Sequence, residues 1–187
     1  MFALLSDFTQ AANEAEIKQI RQWYNQIQGD ASLKKTIIKT GEDEEPHGVT
    51  LTRYENASGE LKKLHISSGG DHGGEDVTYY YQDGSLFFVY SAYQSWRFTQ
   101  GTNANGQTAT IDSSGQSRYY FAGGKCIKAL GKNVQTKDAD KLAALLKKAE
   151  NEPIAHHDTA PLYLKKSKML AQVKNREGLE KFLSLRD

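Results

Sequence analysis

The chain has 187 residues, of which 38% are hydrophobic and 25% are charged, and its formal net charge is +1. This composition is typical of a globular domain and excludes a disordered chain, and no apolar run approaches the roughly 20 residues that a membrane-spanning helix needs. The near-neutral charge gives no reason to expect a nucleic-acid partner, and the single cysteine, Cys126, excludes an internal disulfide and a cysteine-based zinc site.

The first predicted element is a helix over residues 13–28. Asn13 and Glu16 have the spacing of a capping box, in which the two side chains satisfy backbone N–H groups of the first turn. Apolar side chains then recur at helical intervals, at Ile17, Ile20, Tyr24 and Ile27.

Short β-rich runs separated by turn residues follow the helix and predict antiparallel hairpins. The clearest hairpin joins residues 77–82 to 85–93 through Asp83-Gly84, because this dipeptide suits the positive φ angles of a type I′ turn. The other predicted parts of the sheet are a strand at 33–39, an acidic loop at 41–46, a hairpin at 48–67, a loop at 101–116 around one short strand at 108–111, and a hairpin at 118–130 turning at Gly123-Gly124.

A second amphipathic helix follows the hairpins and ends before Pro153. Its apolar face consists of Ala139, Leu142, Leu145, Leu146 and Ala149. We therefore predict an α+β fold, with an antiparallel meander of about six to seven strands flanked by an N-terminal and a C-terminal helix. The predicted organisation is one domain over 1–151, a linker over 152–160 and a basic, helical tail over 161–187.

The most unusual feature is a block of nine aromatic residues between Tyr79 and Phe98. Alternation along a strand places rings on both faces of the hairpin, although one aromatic face suffices for a core. Cross-strand packing within a core is the simpler interpretation of this block. The other interpretation predicts an exposed surface that stacks a glycan, a peptide or a protein partner, formed by Tyr80, Phe87, Tyr93, Trp96 and Phe98.

Two clusters have metal-ligand chemistry, but each also has a simpler interpretation. The glycine-rich segment 69–76 contains Asp71, His72 and Glu75, which lack EF-hand spacing and are typical of a flexible hairpin connection. His156-His157 belongs to the polar linker, where adjacent side chains point in opposite directions. The sequence indicates no cofactor.

Nucleophilic catalysis has weak candidates in Cys126 and in the serine pairs Ser67-Ser68 and Ser113-Ser114. No Gly-x-Ser-x-Gly motif is present. Cys126 follows its turn glycine at the position that Leu61 and Leu86 occupy in the other hairpins, so we predict that it fills core space.

Several of these motifs together resemble a family of uncharacterised exported or lipoprotein-type proteins of Gram-negative bacteria. They are Ile-Arg-Gln-Trp-Tyr at 20–24, Tyr-Tyr-Tyr-x-Asp-Gly-x-Leu-Phe-Phe-Val-Tyr at 79–90, Arg-Tyr-Tyr-Phe at 118–121 and Lys-Cys-Ile at 125–127. The hairpins are also distantly similar to MORN-like repeats. The family resemblance implies a periplasmic or cell-surface location, with a cytoplasmic location as the alternative, and it implies no catalytic residues.

We therefore expect a non-enzymatic, exported binding domain that contacts its partner through the aromatic sheet face. One alternative is a hydrolase-like enzyme that uses Asp71 and His72 in the glycine-rich loop. The other alternative is an inhibitor or immunity-type protein, whose sheet surface plugs a partner.

Overall fold

The computed structural model describes residues 3–40, 48–102, 106, 108–155 and 158–185, with side chains from residue 13 onward. The predicted acidic loop at 41–46 and the pair His156-His157 lie outside the described residues. The helices are α1 (Ala3–Gly29), α2 (Ala139–Lys148), α3 (Ala160–Gln172) and α4 (Arg176–Ser184). The strands are β1 (Lys34–Lys39), β2 (Val49–Glu55), β3 (Leu61–Gly70), β4 (Gly73–Gln82), β5 (Ser85–Thr102), β6 (Thr108–Ala122), β7 (Lys125–Thr136) and β8 (Glu152–Pro153).

The strands form one antiparallel meander whose spatial order is the chain order, β1 to β8. The predicted α+β class and hairpin topology are confirmed, with eight strands instead of six or seven. The eighth strand lies in the predicted linker, where Glu152 and Pro153 pair with Gly131 and Leu130.

The predicted loop at 101–116 is largely strand. Trp96 pairs with Asp112 and Phe98 pairs with Thr110, so β5 and β6 continue well beyond their apolar parts. Glycine, asparagine and serine favour loops locally, but an adjacent strand that satisfies the backbone hydrogen bonds overrides this preference. At one end of the sheet, β5 and β6 therefore extend beyond the strands on either side of them.

Two hairpins turn as their sequences predict. Asp83 and Gly84 have φ angles of 52° and 72°, so both central residues are in the left-handed region that a type I′ turn requires. Gly123 and Gly124 repeat this geometry with φ angles of 54° and 74°. The turns fix the register that separates the two faces of the sheet.

Each face of the sheet has its own core. We call the face covered by α3 and α4 the back face and the face covered by α1 and α2 the front face. The back core is made of aliphatic residues and tyrosines, chiefly Leu51, Leu64, Val77, Tyr79, Tyr81, Val89, Phe121, Leu170, Leu179 and Phe182. The front core is mainly aromatic, with Ile17, Ile20, Ile27, Tyr80, Phe87, Phe88 and Tyr120.

A buried arginine attaches α3 to the back face. Arg53 is 2% exposed, and its Nη1 donates to the carbonyl oxygens of Leu170, Ala171 and Val173 at 3.4, 3.1 and 2.9 Å. Its Nη2 is 2.8 Å from Glu55 Oε1, and this neighbour lowers the pKa of the Glu55 carboxyl. The cation therefore satisfies carbonyls that the end of a helix leaves without partners. The predicted basic tail is thus packed against the sheet.

A lysine attaches α2 to the front face in the same manner. Lys132 Nζ donates to the carbonyl oxygens of Leu146 and Ala149 at 2.7 and 3.3 Å. This contact holds α2 over β6 and β7, at the end of the front face that α1 leaves open. The space between α2 and the sheet forms the candidate site.

Candidate functional site

Two of the five predicted contact residues are buried under α1. Tyr80 and Phe87 are each 3% exposed. The Tyr80 ring lies 5.1 Å from that of Tyr24, and the Phe87 ring lies 5.4 Å from that of Trp23. This corrects the expectation that Tyr80 and Phe87 belong to an exposed surface, because the amphipathic face of α1 covers their side of the sheet.

A third predicted residue, Tyr93, lies on the back face and is 40% exposed. Its ring lies over Gly115 on the neighbouring strand, where a Cβ atom would come within 2.4 Å of Tyr93 Cε1. The missing side chain at Gly115 is therefore what lets the ring lie flat against β6. Tyr93 also belongs to the lining of the groove that holds Trp96, although its ring lies on the back face.

The remaining two residues, Trp96 and Phe98, form an aromatic cluster on the open end of the front face. The ring centroids of Trp96 and Phe98 are 5.1 Å apart in an edge-to-face arrangement. His72, from the turn between β3 and β4, lies with its ring centroid 4.5 Å from that of Trp96. Phe98 is 60% exposed, so the cluster presents apolar ring surface to solvent.

Beside this cluster the front face carries a groove of about 630 Å³, which we call the acidic groove. Strand register brings its polar side chains together in three adjacent cross-strand rows. The rows are Ser67–Asp76–Ala92–Gln116, then Gly69–Gly74–Gln94–Ser114, then Trp96–Asp112.

The shape of the acidic groove follows from small residues in the middle of those rows. Gly69, Gly74 and Ala92 project little or nothing from the sheet, while Leu142 and Leu146 of α2 form one wall. A sheet surface that would otherwise be filled by side chains is therefore concave here. The volume lies within the usual range for small-molecule sites.

The side chains that line the groove include hydrogen-bond acceptors and donors, and the described ones include neither lysine nor arginine. Asp112 Oδ2 accepts from Thr110 Oγ1 at 3.1 Å, and Asp76 Oδ1 lies 3.5 Å from His65 Nε2. Burial lowers the pKa of His65, so this imidazole is mainly neutral at pH 7 and does not form an ion pair with Asp76. Among the described lining residues there is no lysine or arginine. An anionic ligand is therefore disfavoured.

The glycine-rich candidates do not converge on one point. Asp71 and His72 form the β3–β4 turn, whereas Glu75 faces the back side, where its Oε1 accepts from Ser91 Oγ at 3.0 Å. Gly73 and Gly74, predicted as loop, are paired strand residues of β4. Within the described part of the chain, no group of three or more histidine, cysteine or acidic side chains is arranged to hold a metal ion.

Two of the nucleophile candidates, Cys126 and Ser114, have structural roles. Leu61, Leu86 and Cys126 all pack against the back core, which confirms the predicted equivalence of the three hairpin positions. Burial raises the pKa of the Cys126 thiol, so little reactive thiolate forms at pH 7. Ser114 Oγ donates to the backbone oxygen of Tyr93 at 3.0 Å.

The sequence identified the aromatic wall of the acidic groove but missed its polar floor. Gln94 has the same strand parity as Trp96 and Phe98, so alternation along β5 was a usable signal. Asp112 and Ser114 carried no such signal, because their segment reads as a loop.

No protein-family model, no curated protein and no solved structure matches this chain. None of the helices in the described part of the chain combines the length and the apolar character that a membrane crossing requires. Any proposal about function therefore rests on the residues of the acidic groove.

Proposed function

We propose that this protein is a non-enzymatic binding domain whose acidic groove takes a neutral saccharide. The observation that carries the proposal is the combination of Trp96, a half-buried lining residue beside the exposed ring of Phe98, with a concave polar floor that contains carboxylates and amides. The location that belongs to this proposal is the periplasmic or cell-surface one that the sequence resemblance implies.

The chemistry of the groove matches the two kinds of surface on a sugar ring. The C–H face of a pyranose carries slight positive charge and stacks on the negative face of an aromatic ring such as Trp96. Sugar hydroxyls both donate and accept, so they pair with the carboxylates of Asp76 and Asp112 and with the amides of Gln94 and Gln116. A groove with carboxylates and no basic lining is unsuited to phosphates, nucleic acids and acidic sugars.

The hydrolase alternative has less support, since Asp71 and His72 lie at a turn and Glu75 faces the opposite side of the sheet. A basic ligand, such as a lysine-rich peptide, is the chemically closest competitor because it would also favour the two carboxylates. The experiment therefore includes both ligand classes.

The two tryptophans allow a direct binding assay. The chain contains only Trp23 and Trp96, and Trp23 packs on Phe87 beneath α1. A Trp23→Phe protein therefore emits from Trp96 alone. We expect saturable changes in its fluorescence with at least one of cellohexaose, chitohexaose, maltohexaose and xylohexaose, with a dissociation constant of about 1 mM or tighter.

Two variants test whether binding uses the groove. Ala92→Leu places a side chain on the groove floor while leaving Trp96 in place, and we expect it to weaken binding by at least about tenfold. Ala122→Leu is the matched control, because it makes the same change at another half-buried alanine, beside the Gly123-Gly124 turn and outside the groove lining. The proposal is overturned if no saccharide binds, if Ala92→Leu binds as well as its parent, or if a tetralysine peptide binds more tightly than every saccharide.

A further inference from the structure

The front face carries a second groove of about 500 Å³ between α1 and the sheet, separate from the acidic groove. We call it the arginine groove, because its lining contains two arginines. It is lined by Ile20, Arg21, Tyr24, Asn25, Phe88, Tyr90, Arg118 and Tyr120. No carboxylate occurs among these described lining residues, which is the reverse of the acidic groove.

The inner surface of the arginine groove is apolar. The ring centroids of Phe88 and Tyr120 are 5.0 Å apart, and those of Tyr24 and Phe88 are 5.4 Å apart in an edge-to-face arrangement. Phe88 and Tyr120 are largely buried, so they form a rigid aromatic floor. The size of the groove and this floor suit a ligand with a compact hydrocarbon body.

The charge at the mouth of the groove is held in a fixed position. The guanidinium carbon of Arg118 lies 5.2 Å from the centre of the Tyr90 ring. Its Nη1 donates to Asn151 Oδ1 at 2.5 Å, and its Nη2 donates to Gln116 Oε1 at 3.3 Å. Both acceptors are neutral amide oxygens, so these contacts orient the guanidinium without neutralising its charge. A guanidinium fixed in this way retains further N–H groups for an anion.

From this combination we infer that the arginine groove binds a small organic carboxylate, with its hydrocarbon body on Phe88 and Tyr120 and its carboxylate paired with Arg118 and Arg21. Charge complementarity selects the anion, since two guanidiniums face the groove and no carboxylate lines it. The planar fork of arginine matches a carboxylate through paired hydrogen bonds, which gives the contact directionality. The inference does not depend on saccharide binding, because the two grooves have no lining residue in common. They meet at Gln116, which lines the acidic groove and accepts from Arg118.

Three probes that share a naphthalene body and differ in charge test it by calorimetry. Naphthalene-2-carboxylate should bind with one-to-one stoichiometry, and naphthalene-2-carboxamide should bind at least about tenfold more weakly, because it lacks the charge that pairs with arginine. The third probe, naphthalen-2-ylmethylamine, carries a positive charge and should bind more weakly still. Octanoate, in place of the naphthalene acid, shows whether the floor accepts an aliphatic body as well as an aromatic one.

Variants assign the binding to this groove. Arg118→Gln and Arg21→Gln should each weaken naphthalene-2-carboxylate by about tenfold or more. Arg21 is exposed on α1, so its variant remains informative even if Arg118→Gln unfolds the protein. Arg97→Gln is the matched control, because this exposed arginine of β5 points to the back face.

Three results would overturn the inference. The first is no binding of either carboxylate at millimolar concentration. The second is equal affinity for the carboxylate and the carboxamide, and the third is unchanged affinity in both Arg118→Gln and Arg21→Gln. A Trp96→Ala protein should bind naphthalene-2-carboxylate normally, so loss of the acidic groove and loss of the arginine groove are distinguishable.

Discussion

The two halves of strand β5 both carry aromatic residues on the front face, but only one half buries them. Phe88 and Phe98 are ten positions apart and point to the same face of the sheet. Phe88 is 6% exposed and lies under α1, whereas Phe98 is 60% exposed beside Trp96. The side chain and the strand are the same in both cases, so the difference comes from the helix that covers one half and leaves the other open.

This comparison shows how a sheet with aromatic residues on both faces divides its surface. At the covered end, α1 and α3 with α4 bury rings on the two faces, and the hydrophobic effect stabilises the fold there. At the open end, small and polar residues replace the core and leave the acidic groove. Core packing thus occupies one half of the strand, and the surface proposed for binding lies on the other half.

The largest effect we expect from a single substitution is at the covered end. Arg53→Met removes the donor for three carbonyl oxygens and the partner of Glu55, so the free energy of unfolding should fall by about 3–5 kcal/mol. Urea denaturation measures it. The matched variant at the open end is Arg97→Met, whose exposed side chain should contribute less than about 0.5 kcal/mol. Equal loss in both variants would show that Arg53 does not attach α3.

A smaller effect should appear as a pH dependence of stability. Burial lowers the pKa of His65 below its usual value of 6.5, so the unfolded chain takes up a proton more readily than the folded protein. The neutral imidazole is therefore favoured in the folded state, and stability should fall as the pH falls through the usual histidine range.

His65→Gln should reduce this pH dependence. The measurement compares urea denaturation of the two proteins at about pH 7.5 and about pH 5.5, on either side of the usual histidine pKa. The wild type should lose more stability than the variant over this interval. Identical losses would mean that the environment of His65 does not disfavour its charge.

Much of the covered end could be predicted from the sequence. Helical periodicity predicted residues 13–28 of α1, but the helix begins at Ala3, so the predicted capping box at Asn13 and Glu16 is wrong. Asp83-Gly84 predicted the turn between β4 and β5, because a turn is specified locally. The length of β6 was missed, since its loop-forming composition is overridden only by pairing with β5. The helix that buries Tyr80 and Phe87 is a long-range contact, so strand alternation alone assigned those residues to an exposed surface.

The candidate site could be predicted only in part for the same reason. Trp96 and Phe98 stood out by residue type, whereas the polar floor depends on rows across four strands. The arginine groove was missed entirely, because Arg21 and Arg118 are nearly one hundred positions apart and only the packing of α1 brings them together.

The central claim is that the aromatic residues of the open end are held for contact and those of the covered end for stability. The most direct measurement is the free energy of unfolding of Phe88→Ala and Phe98→Ala, the same substitution at two positions of β5. We expect a loss of about 3–5 kcal/mol for Phe88→Ala and less than about 1 kcal/mol for Phe98→Ala. Comparable losses at both positions would contradict the account, since Phe98 would then be part of the core.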